Sequence, residues 1–179
     1  QVVLLDLARR SIAAKIQGAD LPPLPMYSDS FGAIRGCFVN LYMNGTMRGS
    51  VGTVWPTLPL AGAIQRYAVA AALEDRRFEP LTAADMPQVT IEISVLTELR
   101  PLAYANADEL LAKLRPGVDG VVVTDQEGRR ATFLPQVWAQ APAKTVFLDT
   151  LGRRAGMAPH ACSNTATVQI GRESGRGRL

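Results

Sequence analysis

The stretch IRGCFVNLYMNGTMRGSVGT, residues 34–53, contains two β-rich segments on either side of Asn44-Gly45. Both turn residues tolerate the positive φ of tight hairpin turns, so the stretch predicts an antiparallel strand pair. Its second strand contains Gly49 and Gly52. Glycine inside a strand costs stability unless another backbone, a bulge or a ligand comes close. Gly49 and Gly52 are therefore the first candidate positions for a functional site.

The segments on either side of this hairpin alternate between helical and extended patterns. Helices are predicted from the N-terminus to near Gly18 and over 60–75, 82–86, 106–114, 135–141 and 143–157. The buried stripe predicted for the last of these helices consists of Val146, Phe147, Leu151 and Ala155. A second hairpin is predicted over 118–134, and an edge strand over 166–170. Residues 89–99 alternate apolar with polar side chains, which predicts a half-buried strand with one polar face.

Two hairpins and an isolated alternating strand favour an α+β fold, with an antiparallel or mixed sheet packed against helices. The length of 179 residues suits a single domain. We expect this domain to span residues 1–171. The closing RESGRGRL, residues 172–179, lacks apolar periodicity and predicts a flexible tail.

Charge and composition exclude several classes of function. The net charge is +3, but residues 151–179 hold five arginines against Glu173, so the rest of the chain is slightly acidic and nucleic-acid binding is not expected. One histidine and two cysteines are too few for a conventional zinc site or an iron–sulfur cluster, so no metal or other cofactor is predicted. No run of about 20 apolar residues indicates a membrane span, and a reducing cytoplasm is the expected location.

The densest cluster of unusual residues is RGSVGT, 48–53, followed at a helix end by EDRRF, 74–78. Arg48 could clamp an anion or a carboxylate, with Glu74 or Asp75 orienting it or acting as a base. Alternatively, Arg48 pairs with one of those acids to fix the helix against the strand, and the glycines only relieve crowding.

Other candidates carry weaker signals. Ser50 lies in no GxSxG motif, which argues against a serine hydrolase. His160 and Cys162 give at most two metal ligands and are expected to form an exposed loop pair, whereas Cys37 is expected to be a buried apolar residue. Phe133, Pro135 and Trp138 surround Gln136 and form either a small-molecule pocket or part of the core.

Taken together, the motifs MRGSVGT, LEDRRFEPLTAADMP, LRPGVDGVVV and ATFLPQVW resemble the AMMECR-type domain, known in prokaryotes as AmmeMemoRadiSam system protein A. The resemblance implies a domain with a larger and a smaller lobe and a cleft between them. The family pattern is usually written LRGCIG, and this sequence has Ser50 where cysteine is common. A thiolate cannot act at that position here. The other matching positions are Arg48, Gly49, Gly52, Glu74, Asp75, Arg77, Phe78, Pro135, Gln136 and Trp138.

The resemblance also implies partners, because such genes accompany a Memo-like protein and a radical SAM protein. Two functions follow. The first is a component of a redox or radical system that binds a small molecule or a peptide-like substrate in the cleft. The second is a non-catalytic adaptor that docks the Memo-like or another partner. Whether the chain is an enzyme stays open.

Overall fold

The computed structural model describes residues 2–25, 29–158 and 160–178, which fall into two compact units. The first unit runs to Leu96 and includes the C-terminal residues from Ser174. The second unit is Thr97–Glu173. Among the described residues, no helix is both long and apolar enough to cross a membrane.

The first unit is built on a four-stranded sheet in the order β2-β1-β3-β8, numbered along the chain. Its elements are α1 (Val2–Ile16), α2 (Asp29–Gly32), β1 (Cys37–Met43), β2 (Thr46–Thr53), α3 (Leu60–Leu73), a 3₁₀ turn (Met86–Gln88), β3 (Val89–Leu96) and β8 (Glu173–Arg178). The predicted hairpin is confirmed, with β1 and β2 antiparallel around Asn44-Gly45.

One face of this sheet forms the core of the first unit. Val39 on β1 lies opposite Val51 on β2 and Ile93 on β3, and these side chains share the core with apolar residues of α1 and α3. Small side chains such as Ala68 and Ala71 let α3 approach the strands closely. Because strand side chains alternate, the intervening residues of all three strands share the opposite face.

The second unit is built on a sheet in the order β4-β7-β5-β6. Its elements are β4 (Arg100–Pro101), α4 (Ala107–Lys113), β5 (Gly120–Thr124), β6 (Arg130–Phe133), a 3₁₀ segment (Pro135–Ala139), α5 (Lys144–Arg154), α6 (Ala161–Asn164) and β7 (Thr167–Gly171). Asn106 caps the start of α4, because its Oδ1 accepts the Glu109 backbone N–H, and Glu109 Oε2 accepts the backbone N–H of Ala105, the residue before the cap.

Several local expectations differ from the structure. The sequence predicts a flexible tail from residue 172, but Glu173–Arg178 form β8 beside β3. Backbone pairing needs no apolar periodicity, and the Arg178 guanidinium lies 5.4 Å from the ring centre of Tyr42. The predicted edge strand 166–170 is instead internal, because the two-residue β4, too short to predict, covers its outer side.

Three burial and helix predictions were also wrong. Val146 is 51% exposed, because Phe147, Leu148 and Leu151 form the buried stripe of α5. The expected short helix at 82–86 is a turn followed by the 3₁₀ turn, although Asp85 does accept the N–H and hydroxyl of Thr82. The polar face of β3 does not face solvent, because Glu92 and Ser94 are 6% and 1% exposed.

Candidate functional site

Three polar side chains form a row across three adjacent strands of the first unit. Asn40 on β1 lies opposite Ser50 on β2 and opposite Glu92 on β3. The Ser50 hydroxyl donates to Asn40 Oδ1 at 2.7 Å, and the Asn40 amide donates to Glu92 Oε1 at 3.4 Å. This polar row lies on the sheet face opposite the helices and places Ser50, half-buried, at its accessible end.

The next positions along the same face form a second row. Phe38 lies between Gly52 on β2 and Ser94 on β3. Within the described part of the chain, the buried Ser94 hydroxyl has no hydrogen-bond partner. An unpaired buried hydroxyl costs free energy, so this face of the sheet contains a hydrogen-bonding group that the fold itself leaves unsatisfied.

Asp75 and Arg77 fix the outer edge of β2 at Ser50. Asp75 Oδ2 accepts the Ser50 backbone N–H at 2.9 Å, and Arg77 Nη2 donates to the Ser50 carbonyl at 3.1 Å. The two side chains also bind each other in a bidentate pair, with Nε to Oδ1 at 2.9 Å and Nη2 to Oδ2 at 2.7 Å. The Arg77 guanidinium beside Asp75, together with the Ser50 N–H, holds the pKa of that carboxyl well below its usual range. At Ser50, the Asp75–Arg77 pair therefore supplies the hydrogen bonds that a further strand beside β2 would otherwise make.

Gly49 and Gly52 are required by close backbone approaches. A Cβ at Gly49 would lie 2.1 Å from the carbonyl oxygen of Ala71 on α3. A Cβ at Gly52 would lie 2.2 Å from the carbonyl oxygen of Cys37 on β1. The interpretation that these glycines relieve crowding is therefore correct for both positions.

Arg48 does not pair with Glu74 or Asp75. It is the extra residue of a β-bulge, where the register between β1 and β2 shifts after Leu41, and its guanidinium donates to the backbone carbonyl of Glu79. Glu74 ends α3 through its backbone N–H, and its side chain is exposed. The predicted ion pair exists with a different cation, since Arg77 takes the carboxylate of Asp75.

Phe78 completes this part of the site. Its ring is half-buried, and the Arg77 guanidinium lies 5.3 Å from the ring centre. Ser50, Arg77 and Phe78 thus offer a hydroxyl, a cation and an aromatic ring at one edge of the sheet.

The candidates Pro135, Gln136 and Trp138 belong to the second unit. Trp138 is 3% exposed, stacks on Phe147 with ring centres 3.6 Å apart, and donates its indole N–H to the carbonyl of Asp119 at 2.7 Å. Pro135 is buried, and the Gln136 amide donates to Glu173 at 3.3 Å. Trp138 therefore belongs to the core, which was the second of the two interpretations of this segment.

The two cysteines are buried, whereas the histidine is exposed. Cys37 is fully buried, as predicted, and burial raises the pKa of its thiol to about 12. Cys162 is also buried, contrary to the expected exposed pair, whereas His160 is exposed with Nδ1 3.6 Å from Asp149 Oδ1. Among the residues that the structure describes, no three His, Cys, Asp or Glu side chains are placed to hold a metal ion.

Comparison with known proteins identifies the family. The profile of the AMMECR1 family matches residues 5–172. This chain belongs to the AMMECR1 family. A protein of Methanothermobacter thermautotrophicus is 33% identical over 160 residues, which are 87% of this chain and 82% of that protein. Protein Mbar_A1807 of Methanosarcina barkeri is 32% identical over 169 residues, covering 92% and 83% of the two chains.

The fold of this AMMECR1-family chain is also found in a solved structure. The crystal structure of the uncharacterized protein PH0010 from Pyrococcus horikoshii matches with a TM-score of 0.82 at 26% identity, covering 94% of this chain and 86% of the other. The resemblance drawn from the motifs and the predicted α+β class are therefore both confirmed.

The arrangement around Ser50 favours binding over nucleophilic attack. Its hydroxyl donates to a neutral amide oxygen, which cannot accept the proton as a base. Sequence reasoning missed Asn40, Glu92 and Ser94, although the polar residues alternating along β3 were a usable signal. That alternation predicts a common face, but only strand pairing places Glu92 beside Asn40 and Ser50.

Proposed function

We propose that this AMMECR1-family protein is the ligand-binding component of a multi-protein redox or radical system. Its proposed partners are a Memo-like protein and a radical SAM protein, and its proposed ligand is a small polar or peptide-like molecule. The observation that carries the proposal is the polar row, in which Ser50, Asn40 and Glu92 are joined by hydrogen bonds on the sheet face opposite the core.

The polar row is organised before any ligand arrives. The Asp75–Arg77 pair fixes the backbone of Ser50, and the bond to Asn40 fixes its hydroxyl. A ligand that meets groups already in place loses less ordering entropy on binding, so such a row favours affinity. The ligand would reach Ser50 from the side where Arg77 and Phe78 lie. The Arg77 side chain is 59% exposed.

A cytoplasmic location is part of the proposal. Cys37 and Cys162 are both free thiols, and each is buried without a disulfide. Unpaired thiols suit a compartment in which disulfides are kept reduced.

The test is anaerobic co-purification of the tagged protein with a Memo-like and a radical SAM protein, followed by mass spectrometry of retained proteins and small molecules. We expect wild type to retain a small molecule and at least one partner. Arg77→Gln should retain at least about 10-fold less of the small molecule, because it loses a charged contact. The matched control is Arg129→Gln, which breaks a similar pair with Asp125 in the second unit.

Each outcome bears on the proposal. Retention of a partner without any small molecule would overturn the ligand-binding role and favour the adaptor. Retention of neither, or an equal loss in both variants, would overturn the proposal as a whole. Circular dichroism of each variant establishes that the loss does not come from unfolding.

A further inference from the structure

Two arginines of the second unit converge on one buried carboxylate. Asp119 is fully buried in the turn that precedes β5. Its Oδ1 accepts Arg115 Nη2 at 2.6 Å and Arg172 Nε at 3.4 Å, and its Oδ2 accepts Arg115 Nε at 3.2 Å. Because both guanidiniums contact the same oxygen atom, they lie side by side.

Asp119 does not need the second arginine. Arg115 alone supplies a bidentate pair and a backbone N–H at 3.0 Å from Oδ2, which already satisfies a single carboxylate. Arg172 therefore adds a positive charge beside Arg115 that Asp119 does not neutralise, and the cluster carries a net charge of one positive unit. Asp119 offsets only one of these two positive charges, so a second anion on their exposed sides would be stabilised.

Both arginines are held in place by the fold. The backbone N–H of Arg172 donates to Thr97 Oγ1 at 2.9 Å, and its carbonyl accepts the Thr97 N–H at 2.8 Å. The turn from Arg115 to Asp119 is closed by the Asp119 N–H on the Arg115 carbonyl at 3.1 Å. The Trp138 indole fixes the Asp119 carbonyl from the core side.

The outer edges of the two guanidiniums are accessible. The side chains of Arg115 and Arg172 are 46% and 52% exposed. Within the described ranges, the side-chain hydrogen bonds of Arg115 come from Nε and Nη2 and that of Arg172 comes from Nε, so the remaining N–H groups are available to a ligand. The neighbouring acid, Glu173, accepts a hydrogen bond from Gln136.

We propose that Arg115 and Arg172 form a binding site for a small oxyanion, a carboxylate or a phosphate group, organised by Asp119. The planar forks of two arginines match the paired oxygens of either group. The site lies in the second unit and does not depend on the function proposed for the polar row.

The experiment is a titration of the full chain with sodium acetate and, separately, with sodium phosphate, followed by NMR of the arginine Nε–H signals. Ionic strength is held constant with sodium chloride, because screening alone shifts exposed arginine signals. We expect saturable shifts of Arg115 and Arg172 with a dissociation constant of about 1 mM or tighter for one of the two anions. The tighter anion identifies the group as carboxylate or phosphate.

Variants make the result specific. Arg172→Gln should lower the affinity for the anion by at least about 10-fold. Arg172→Lys keeps the positive charge but loses the planar guanidinium, so its affinity should lie between those of wild type and Arg172→Gln. Arg129→Gln is the matched control, because Arg129 pairs with buried Asp125 without a second arginine and should leave the affinity unchanged. Linear shifts that chloride reproduces, or equal affinities in the Arg172→Gln and Arg129→Gln variants, would overturn the proposal.

Discussion

Asp75 accepts the backbone N–H of Ser50 through Oδ2 at 2.9 Å, so a side chain at the end of α3 bonds the open edge of β2. An exposed strand edge presents unpaired backbone groups that invite further pairing. Asp75, with Arg77 on the Ser50 carbonyl, occupies both groups at this residue. The acidic motif after α3 is thereby connected to the glycine-containing strand 25 residues earlier in the chain.

Asp75→Asn should lower the free energy of unfolding near neutral pH by about 1–3 kcal/mol, because the charged acceptor of four hydrogen bonds is lost. The pKa of Asp75 is lowered from 3.8 on folding. This stabilisation is therefore complete above the unfolded pKa and is lost as the pH falls through the folded pKa.

Urea unfolding of wild type and Asp75→Asn from about pH 7 to about pH 2 checks this prediction, and the difference between the two should shrink on acidification. Asp6→Asn serves as the control, because that carboxylate is 59% exposed and lies 3.5 Å from Arg10. A constant difference at every pH would contradict the prediction.

Gly49→Ala and Gly52→Ala should each lower the free energy of unfolding by about 3 kcal/mol or more, because the new methyl group would overlap a backbone carbonyl. Chemical denaturation measures the loss. Gly62→Ala on α3 is the matched control, since its nearest neighbour would be a leucine methyl at 3.7 Å. Alanine favours helix over glycine, so this control should match or exceed wild type. Equal stability of all three variants would contradict the close approaches.

Ser50→Ala should cost about 1 kcal/mol, because buried Asn40 loses its donor at Oδ1. Guanidinium unfolding curves give the value. Thr46→Ser, at an exposed position of the same strand, should stay within about 0.5 kcal/mol of wild type. If Ser50→Ala is as stable as wild type, the polar row does not contribute to the fold in the way its geometry indicates.

Neither thiol should react readily in the folded protein. Burial raises the pKa of Cys37 to about 12 and that of Cys162 to about 11, so few thiolates exist near neutral pH. Labelling with a disulfide reagent should be slow in buffer and should consume both cysteines after unfolding in guanidinium. Rapid labelling of one thiol under native conditions would show that its surroundings open.

Local patterns were sufficient for much of the fold. Asn44-Gly45 determined the first hairpin, and Asn106 with Glu109 determined the start of α4, because these residues act through their own backbone neighbours. The apolar alternation of β3 likewise identified the strand, although it could not show that both faces are covered. The family resemblance rested on motifs of this local kind.

The tertiary structure decided which partners these residues have. The sequence predicted that Arg48 pairs with an acid after α3. In the structure Arg48 lies in a β-bulge and donates to the Glu79 carbonyl, and Asp75 pairs with Arg77 instead. Asn40 and Glu92 are 52 positions apart, and Asp119 and Arg172 are 53 apart. Sequence periodicity reports only neighbours within a turn or a strand, whereas strand register and helix packing bring together residues that are distant in the chain. For that reason the sequence by itself determined the elements and the family, and only the folded chain determined the polar row and the arginine pair.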